Sequence, residues 1–184
     1  MTKSLNIKDI ASEYKQQVFT QDYSGKPKIE GVQLIDIRNF VTEDGDFCEL
    51  IRVDDKGCLE LVPDFQLKQV NRSRMIPGSV KAWHLHFNQE DLWYIPPKDQ
   101  LIVGLADCRA DSPTKDTAIK YVLGGGKSQL LLIPRGVAHG AANVTPQEAT
   151  IIYFINQQFD FNDPDERRLP WDTFGQDFWT PPKE

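Results

Sequence analysis

The stretch KAWHLHFNQE, residues 81–90, holds His84 and His86, two of the three histidines of the chain, with Glu90 four residues beyond; the third, His139, stands in PRGVAHG. In an extended strand, residues two apart share a face, so His84 and His86 project side by side, and in a barrel that face can be the lumen. A second strand can then bring in His139. Two chemistries suit such a group. Neutral imidazole titrates near working pH and can move a proton to or from a substrate. Three imidazoles with the Glu90 carboxylate also suit a divalent transition metal such as Fe, Mn, Ni, Zn or Cu. The two uses compete, because an imidazole nitrogen bound to metal has no lone pair left to act as a base. The plainest reading, an outward polar alternation in an ordinary strand, stands beside both.

Short runs of alternating or solidly β-branched residues must position these side chains. They are VQLIDIR, FCELIRV, FQLKQVNRS, VKAWHLHF, LWYI, QLIVGLAD, AIKYVL, SQLLLIP, AHGAANV and ATIIYFIN, cut by Gly, Pro, Asp and Asn. Strands at this spacing with no helices between them predict an all-β fold, an antiparallel sandwich or jelly-roll β-barrel, over residues 29–156. Before it, residues 1–28 form an arm in which Ile7, Ile10, Ala11, Tyr14 and Val18 recur at helical spacing, predicting a short amphipathic helix from Asn6 to about Phe19. After it, residues 157–184 are polar and irregular but carry Trp171, Phe174, Phe178 and Trp179. That tail is too aromatic for disorder and is expected to pack on the barrel and cover its mouth. Gly124-Gly125-Gly126 lies between strands and reads as a hairpin turn rather than a phosphate loop. All 184 residues fit a single domain.

Composition narrows the partners. A net charge of -6 with 21 basic residues spread along the chain argues against nucleic acid. No stretch approaches the roughly 20 apolar residues that span a bilayer, and the N-terminus lacks the apolar core of a secretory signal, so a cytoplasmic location with no membrane partner is expected. Cys48, Cys58 and Cys108 are widely separated and odd in number, which predicts buried or incidental thiols without disulfides. Any nucleotide ligand would need local Arg and Lys groups working against the overall charge.

Two resemblances run through these residues. Gly78, His84, His86 and Glu90, followed by Pro134, Gly136, His139 and Asn143, resemble the two motifs of the cupin superfamily. Its metal-binding members imply His84, His86, Glu90 and His139 as ligands. Over a longer range the chain resembles the dTDP-4-dehydrorhamnose 3,5-epimerase family, a cupin-fold group acting on dTDP-linked 4-keto-6-deoxy sugars. Glu30-Gly31-Val32, then Gly45, Phe47 and Glu49, then Gln69, Asn71, Ser73, Gly78, Lys81 and His84 follow its pattern in order. So do Asp107-Cys108-Arg109, Ser112-Pro113-Thr114, Pro134 to Gly140, Tyr153, Glu166-Arg167, Leu169, Trp171 and Asp172.

What the epimerase resemblance implies is specific. His84 would be the base that removes protons beside the C4 ketone, oriented by an acidic partner near Asp172, and Tyr153 the acid on the opposite face. Gln69, Asn71, Arg74, Lys81, Asp107 and His139 would line or bind the substrate, a small sugar or sugar nucleotide. No cofactor is implied, and a homodimer is. The chain departs from the family at Asp44 in place of an arginine, at His86 in place of a glutamine, and at Asp91 where a lysine is expected. Compensating basic groups would come from Arg72, Arg74, Lys81 or Arg109. Two other expectations stay open: a metal-dependent cupin oxygenase or isomerase, with a divalent transition metal on the four ligands, and a non-catalytic sugar-binding cupin.

Overall fold

Strands that are buried on both faces read as unbroken apolar runs, and LWY, LIVGLA and LLLI are buried along their whole length. The computed structural model describes residues 4–25 and 27–183. Its strands are β1 (Gln33–Asp36), β2 (Asn39–Thr42), β3 (Gly45–Cys48), β4 (Gln69–Met75), β5 (Val80–Leu85) and β6 (Asp91–Tyr94). They continue with β7 (Gln100–Asp107), β8 (Ala118–Gly124), β9 (Gln129–Ile133), β10 (Val137–Ala142), β11 (Ala149–Ile155) and β12 (Arg167–Arg168). One five-stranded sheet has the order β1-β9-β6-β11-β4, a second β12-β5-β10-β7-β8, and β2 pairs with β3. Every pairing is antiparallel. The fold is the expected jelly-roll barrel.

Side-chain parity explains the solid runs. Trp93 of β6 and Val103 and Leu105 of β7 enter the central core between the sheets, together with Met75, Leu131 and Ile151. Their neighbours point the other way. Leu92 and Tyr94 pack under the irregular segment that carries Leu59 and Phe65. Ile102 and Ala106 pack under the C-terminal tail with Trp83, Phe178 and Trp179. The central strands of both sheets are therefore covered on their outer faces, and alternation is lost where both faces are buried. Gly104 makes the tail's approach possible: a Cβ there would stand 2.6 Å from both Phe178 and Trp179 and 2.7 Å from Trp83.

Several local expectations differ from what forms. The N-terminal segment is not one helix but a 3-10 turn over Ile7–Asp9, an extended Ile10 and a single turn, α1 (Ser12–Lys15). No residue of either turn is buried, and an amphipathic segment of this length without a packing partner does not hold a continuous helix. FCELIRV is a strand only to Cys48, where it pairs with the unanticipated β2. Its remainder joins the cover over the first sheet, tied by isolated bridges Val53–Leu59 and Cys58–Gln66. Gly124–Gly126 does not close a hairpin, because β8 lies in one sheet and β9 in the other. The turn is pinned by the Gly125 and Gly126 N–H groups donating to Asp99 and Pro97 carbonyls at 2.7 and 2.8 Å. The thiols are all free, with Cys48 and Cys58 half-buried and Cys108 exposed. No described helix is long and apolar enough to cross a membrane.

Candidate functional site

The site is built on a register irregularity. Between β5 and β10, His84 stands opposite His139 and Lys81 opposite Ala141. Three steps along β5 thus match two along β10, so β5 carries one extra residue, a β-bulge. Residues three apart on a regular strand face opposite sides, but here Lys81 and His84 line the same cavity while Trp83 turns to the outer cluster. Gly140 sits against the bulge, where a Cβ would meet the Ala82 Cβ at 2.5 Å and the Lys81 carbonyl oxygen at 2.7 Å.

The cavity has a volume of about 210 Å³ and opens between the two sheets. His84 stands at one wall, where its Nδ1 lies 3.3 Å from Glu166 Oε2. An Nδ1–H donated to that carboxylate makes Nε2 the acceptor nitrogen of the ring. Arg168, paired with His84 across β12 and β5, places a guanidinium nitrogen 3.0 Å from both ring nitrogens. Burial, with the neighbouring His139 and Arg168, pushes the His84 pKa below its ordinary value against the upward pull of Glu166. The Glu166 carboxyl is held down chiefly by its bond to His84. Tyr153 of β11 also lines the cavity, and burial, followed by the charges of Asp91 and Glu166, raises its phenol so that it keeps its proton. Lys81 Nζ, in the same cavity, donates to Ser73 Oγ at 2.7 Å and to the Arg74 carbonyl at 3.0 Å.

At the floor lie three buried polar groups, His86, Asp91 and His139. His86 Nδ1–H donates to the Asp165 carbonyl, and His139 Nδ1–H to the Val137 carbonyl at 3.0 Å. Asp91 accepts from Trp93 Nε1 at 2.8 Å and from the Gln89 amide at 2.7 Å. Its two oxygens stand 3.5 Å from His139 Nε2 and 3.9 Å from His86 Nε2. Burial alone would raise the Asp91 carboxyl, but a proton on His139 or His86, together with the Trp93 N–H, holds it well below the usual carboxylate range. The loop bearing His86 is fixed from the tail: the Asp165 carboxylate accepts the N–H groups of Phe87, Asn88 and Gln89 at 2.9, 2.7 and 2.9 Å.

Not every residue singled out in the sequence reaches this cavity. His84, His86, His139, Tyr153 and Lys81 do. Glu90 does not: it bonds the Asn156 amide at 2.9 Å and faces Arg135 at 3.8 Å, and the carboxylate beside the imidazoles is Asp91. Asp172 lies in the turn closed by Gly175 N–H, 2.9 Å from its carbonyl, and the carboxylate on His84 is Glu166. Asp107 is not in the pocket either, being buried at the end of β7 and tied to Arg109, Ser112 and Thr114. Arg74 and Arg72 project from the outer face of β4, where Arg74 pairs with Glu148 at 3.0 Å. Gln69 and Asn71 face inward but bond each other at 2.8 Å, outside the cavity lining. Asp44 is in the exposed β2–β3 turn, bonded by Thr42 at 2.7 Å. Glu166, Arg168, Asp91 and Gln89 were not among the expected site residues. Glu166 stood within the matched tail motif, and Asp91 was visible only as a departure from it.

Comparisons with known proteins agree with this architecture. The family model described as dTDP-4-dehydrorhamnose 3,5-epimerase matches residues 26–177. The chain is 40% identical over 144 residues to the spore coat polysaccharide biosynthesis protein SpsL of Bacillus subtilis, covering 78% of this chain and 91% of that one. It is 31% identical over 146 residues to a probable low-salt glycan biosynthesis epimerase of Haloferax volcanii, covering 79% and 90%. Among solved structures, a dTDP sugar isomerase of Desulfovibrio desulfuricans superposes with a TM-score of 0.68 at 28% identity, over 79% of this chain and 87% of that one.

Proposed function

The chain belongs to the dTDP-4-dehydrorhamnose 3,5-epimerase family, and from that premise we propose that its cavity epimerises a nucleotide-linked 4-keto-6-deoxy sugar by proton transfer at carbons beside the ketone. The observation that carries the assignment of roles is the His84–Glu166 pair, opening on a cavity that Tyr153 also lines. A ketone acidifies the neighbouring C–H groups, and a neutral imidazole within reach can take the proton. His84 Nε2 is that base. Glu166 fixes the tautomer and stabilises the imidazolium that forms. Tyr153, protonated, returns a proton from the other side.

The negative charge that develops on the ketone oxygen needs a positive or hydrogen-bonding partner. Among Arg72, Arg74, Lys81 and Arg109, the first two face outward and Arg109 is bound to Asp107 and the Glu30 carbonyl. Lys81 lines the cavity and is assigned to the enolate oxygen. Proton removal and return balance without a redox or group-carrying cofactor.

At about 210 Å³ the cavity falls below the roughly 300–1,000 Å³ of pockets that enclose drug-sized ligands. It suits one sugar ring, with the nucleotide lying at the open side. Such a substrate is met in the cytoplasm, where we place the protein. A homodimer is supported by apolar side chains left exposed on the arm and the β2–β3 hairpin, among them Phe19 at 77%, Val41 at 80% and Phe47 at 66%. Sedimentation velocity tests that assembly. For the reaction, the protein is incubated with dTDP-4-keto-6-deoxyglucose in deuterated water, and deuterium at the carbons flanking the ketone is read by NMR. Incorporation is expected; a substrate that stays fully protiated overturns the reading.

A further inference from the structure

We propose that His86, His139 and Asp91 form a binding site for one divalent transition metal ion at the floor of the cavity. The site stands independently of the epimerase reading. One ligand atom from each of the three residues lies within 4.8 Å of the others, and all three side chains are buried.

The tautomers are what point to a cation. Both imidazoles have Nδ1 committed to a backbone carbonyl, at Asp165 and at Val137. In their neutral forms each Nε2 is therefore a lone pair directed toward the Asp91 carboxylate. Two lone pairs and an anion converging in a buried space repel one another unless positive charge stands between them. A metal ion with two imidazole nitrogens and a carboxylate oxygen supplies it, and an N–H donated by each ligating histidine to a carbonyl is the outer contact that such ligands usually make.

The spacing fits with small adjustments. Ligands about 2.1 Å from an ion stand about 3.0–3.4 Å apart in tetrahedral or octahedral arrangement, against 3.5 and 3.9 Å from the two imidazoles to Asp91 here. Gln89 adds a fourth group: its terminal amide nitrogen is 2.7 Å from Asp91 Oδ1 and 3.4 Å from His86 Nε2. There it donates to both, holding partial positive charge where the ion would sit. Turning the amide over presents its oxygen instead. The cavity gives the ion a path in. The site differs from the set expected from sequence spacing, because His84 is engaged by Glu166 and Glu90 by Asn156.

The competing arrangement is a proton on one imidazole, paired with Asp91 and with no metal. Tag-free, chelator-treated protein titrated with Co(II) separates the two by visible ligand-field absorption. One equivalent is expected to bind to the wild type, Asp91→Asn to weaken binding at least about 100-fold, and His84→Asn to leave it unchanged. Absence of a saturable Co(II) spectrum, or unchanged affinity in Asp91→Asn, overturns the proposal. Should Asp91→Asn not fold, X-ray absorption on the wild-type Co(II) form decides, two imidazole ligands supporting the site and none overturning it. Deuterium exchange on metal-free protein is scored separately: Co(II) binding without exchange under any metal loading sinks the epimerase reading alone, and exchange without Co(II) binding sinks the metal site alone.

Discussion

Lys81 and His84, three residues apart on one strand, line the same cavity because β5 carries one residue more than β10 between their paired positions. The bulge is accommodated at Gly140, whose missing side chain leaves room for the Ala82 Cβ and the Lys81 carbonyl. In Gly140→Ala the new methyl meets backbone that has little freedom to move. Urea unfolding is expected to show a loss of about 1–3 kcal/mol. Deuterium exchange is expected to fall with it, since both cavity residues depend on the bulge.

Glu166, not Asp172, meets His84. Glu166→Gln keeps the shape of the side chain but removes the charge that stabilises an imidazolium, and a drop in exchange rate of about tenfold or more is expected. Asp172→Asn is expected to exchange at nearly the wild-type rate. The reverse order would move the partner role to the tail turn.

Among the basic groups, Lys81→Met is expected to lower exchange about 10²- to 10³-fold, as for loss of a group that meets developing oxyanion charge. Arg74→Ala removes only an exposed pair with Glu148, so stability should change by less than about 1 kcal/mol and exchange hardly at all.

Asp107 gives the fold a pH signature. Burial would raise its carboxyl, but bonds from Arg109, Ser112 and Thr114 hold it well below the ordinary value of 3.8. The unfolded chain therefore takes up this proton first as pH falls, and the stabilisation is fully present above about pH 4 and lost progressively below it. Asp107→Asn should be weaker than wild type at neutral pH by about 3 kcal/mol or more. Its urea midpoint should also fall less steeply than the wild type's below pH 4.

The barrel was legible because its strands announce themselves as β-branched runs cut by turn residues, and the histidines because two-residue spacing puts His84 and His86 on one face. The N-terminal helix misled because periodicity reports an apolar stripe and not whether anything packs on it. Strand parity alone would have turned Lys81 away from His84, since a bulge leaves no mark in the sequence of its own strand. Motif spacing selects Glu90 as the ligand and passes over Asp91. Only the path of the loop held by Asp165, with the register of β6, turns Asp91 inward. Glu166 comes from a tail with no regular pattern, so its approach to His84 had to come from the pairing of β12 with β5.

The base assignment of His84 is tested most directly by the rate of solvent-deuterium incorporation into dTDP-4-keto-6-deoxyglucose by wild type and His84→Asn side by side, with folding checked by circular dichroism. The expected result is incorporation by the wild type and a rate lower by about two to four orders of magnitude in the variant. Incorporation by folded His84→Asn at the wild-type rate, or none by the wild type, would contradict it.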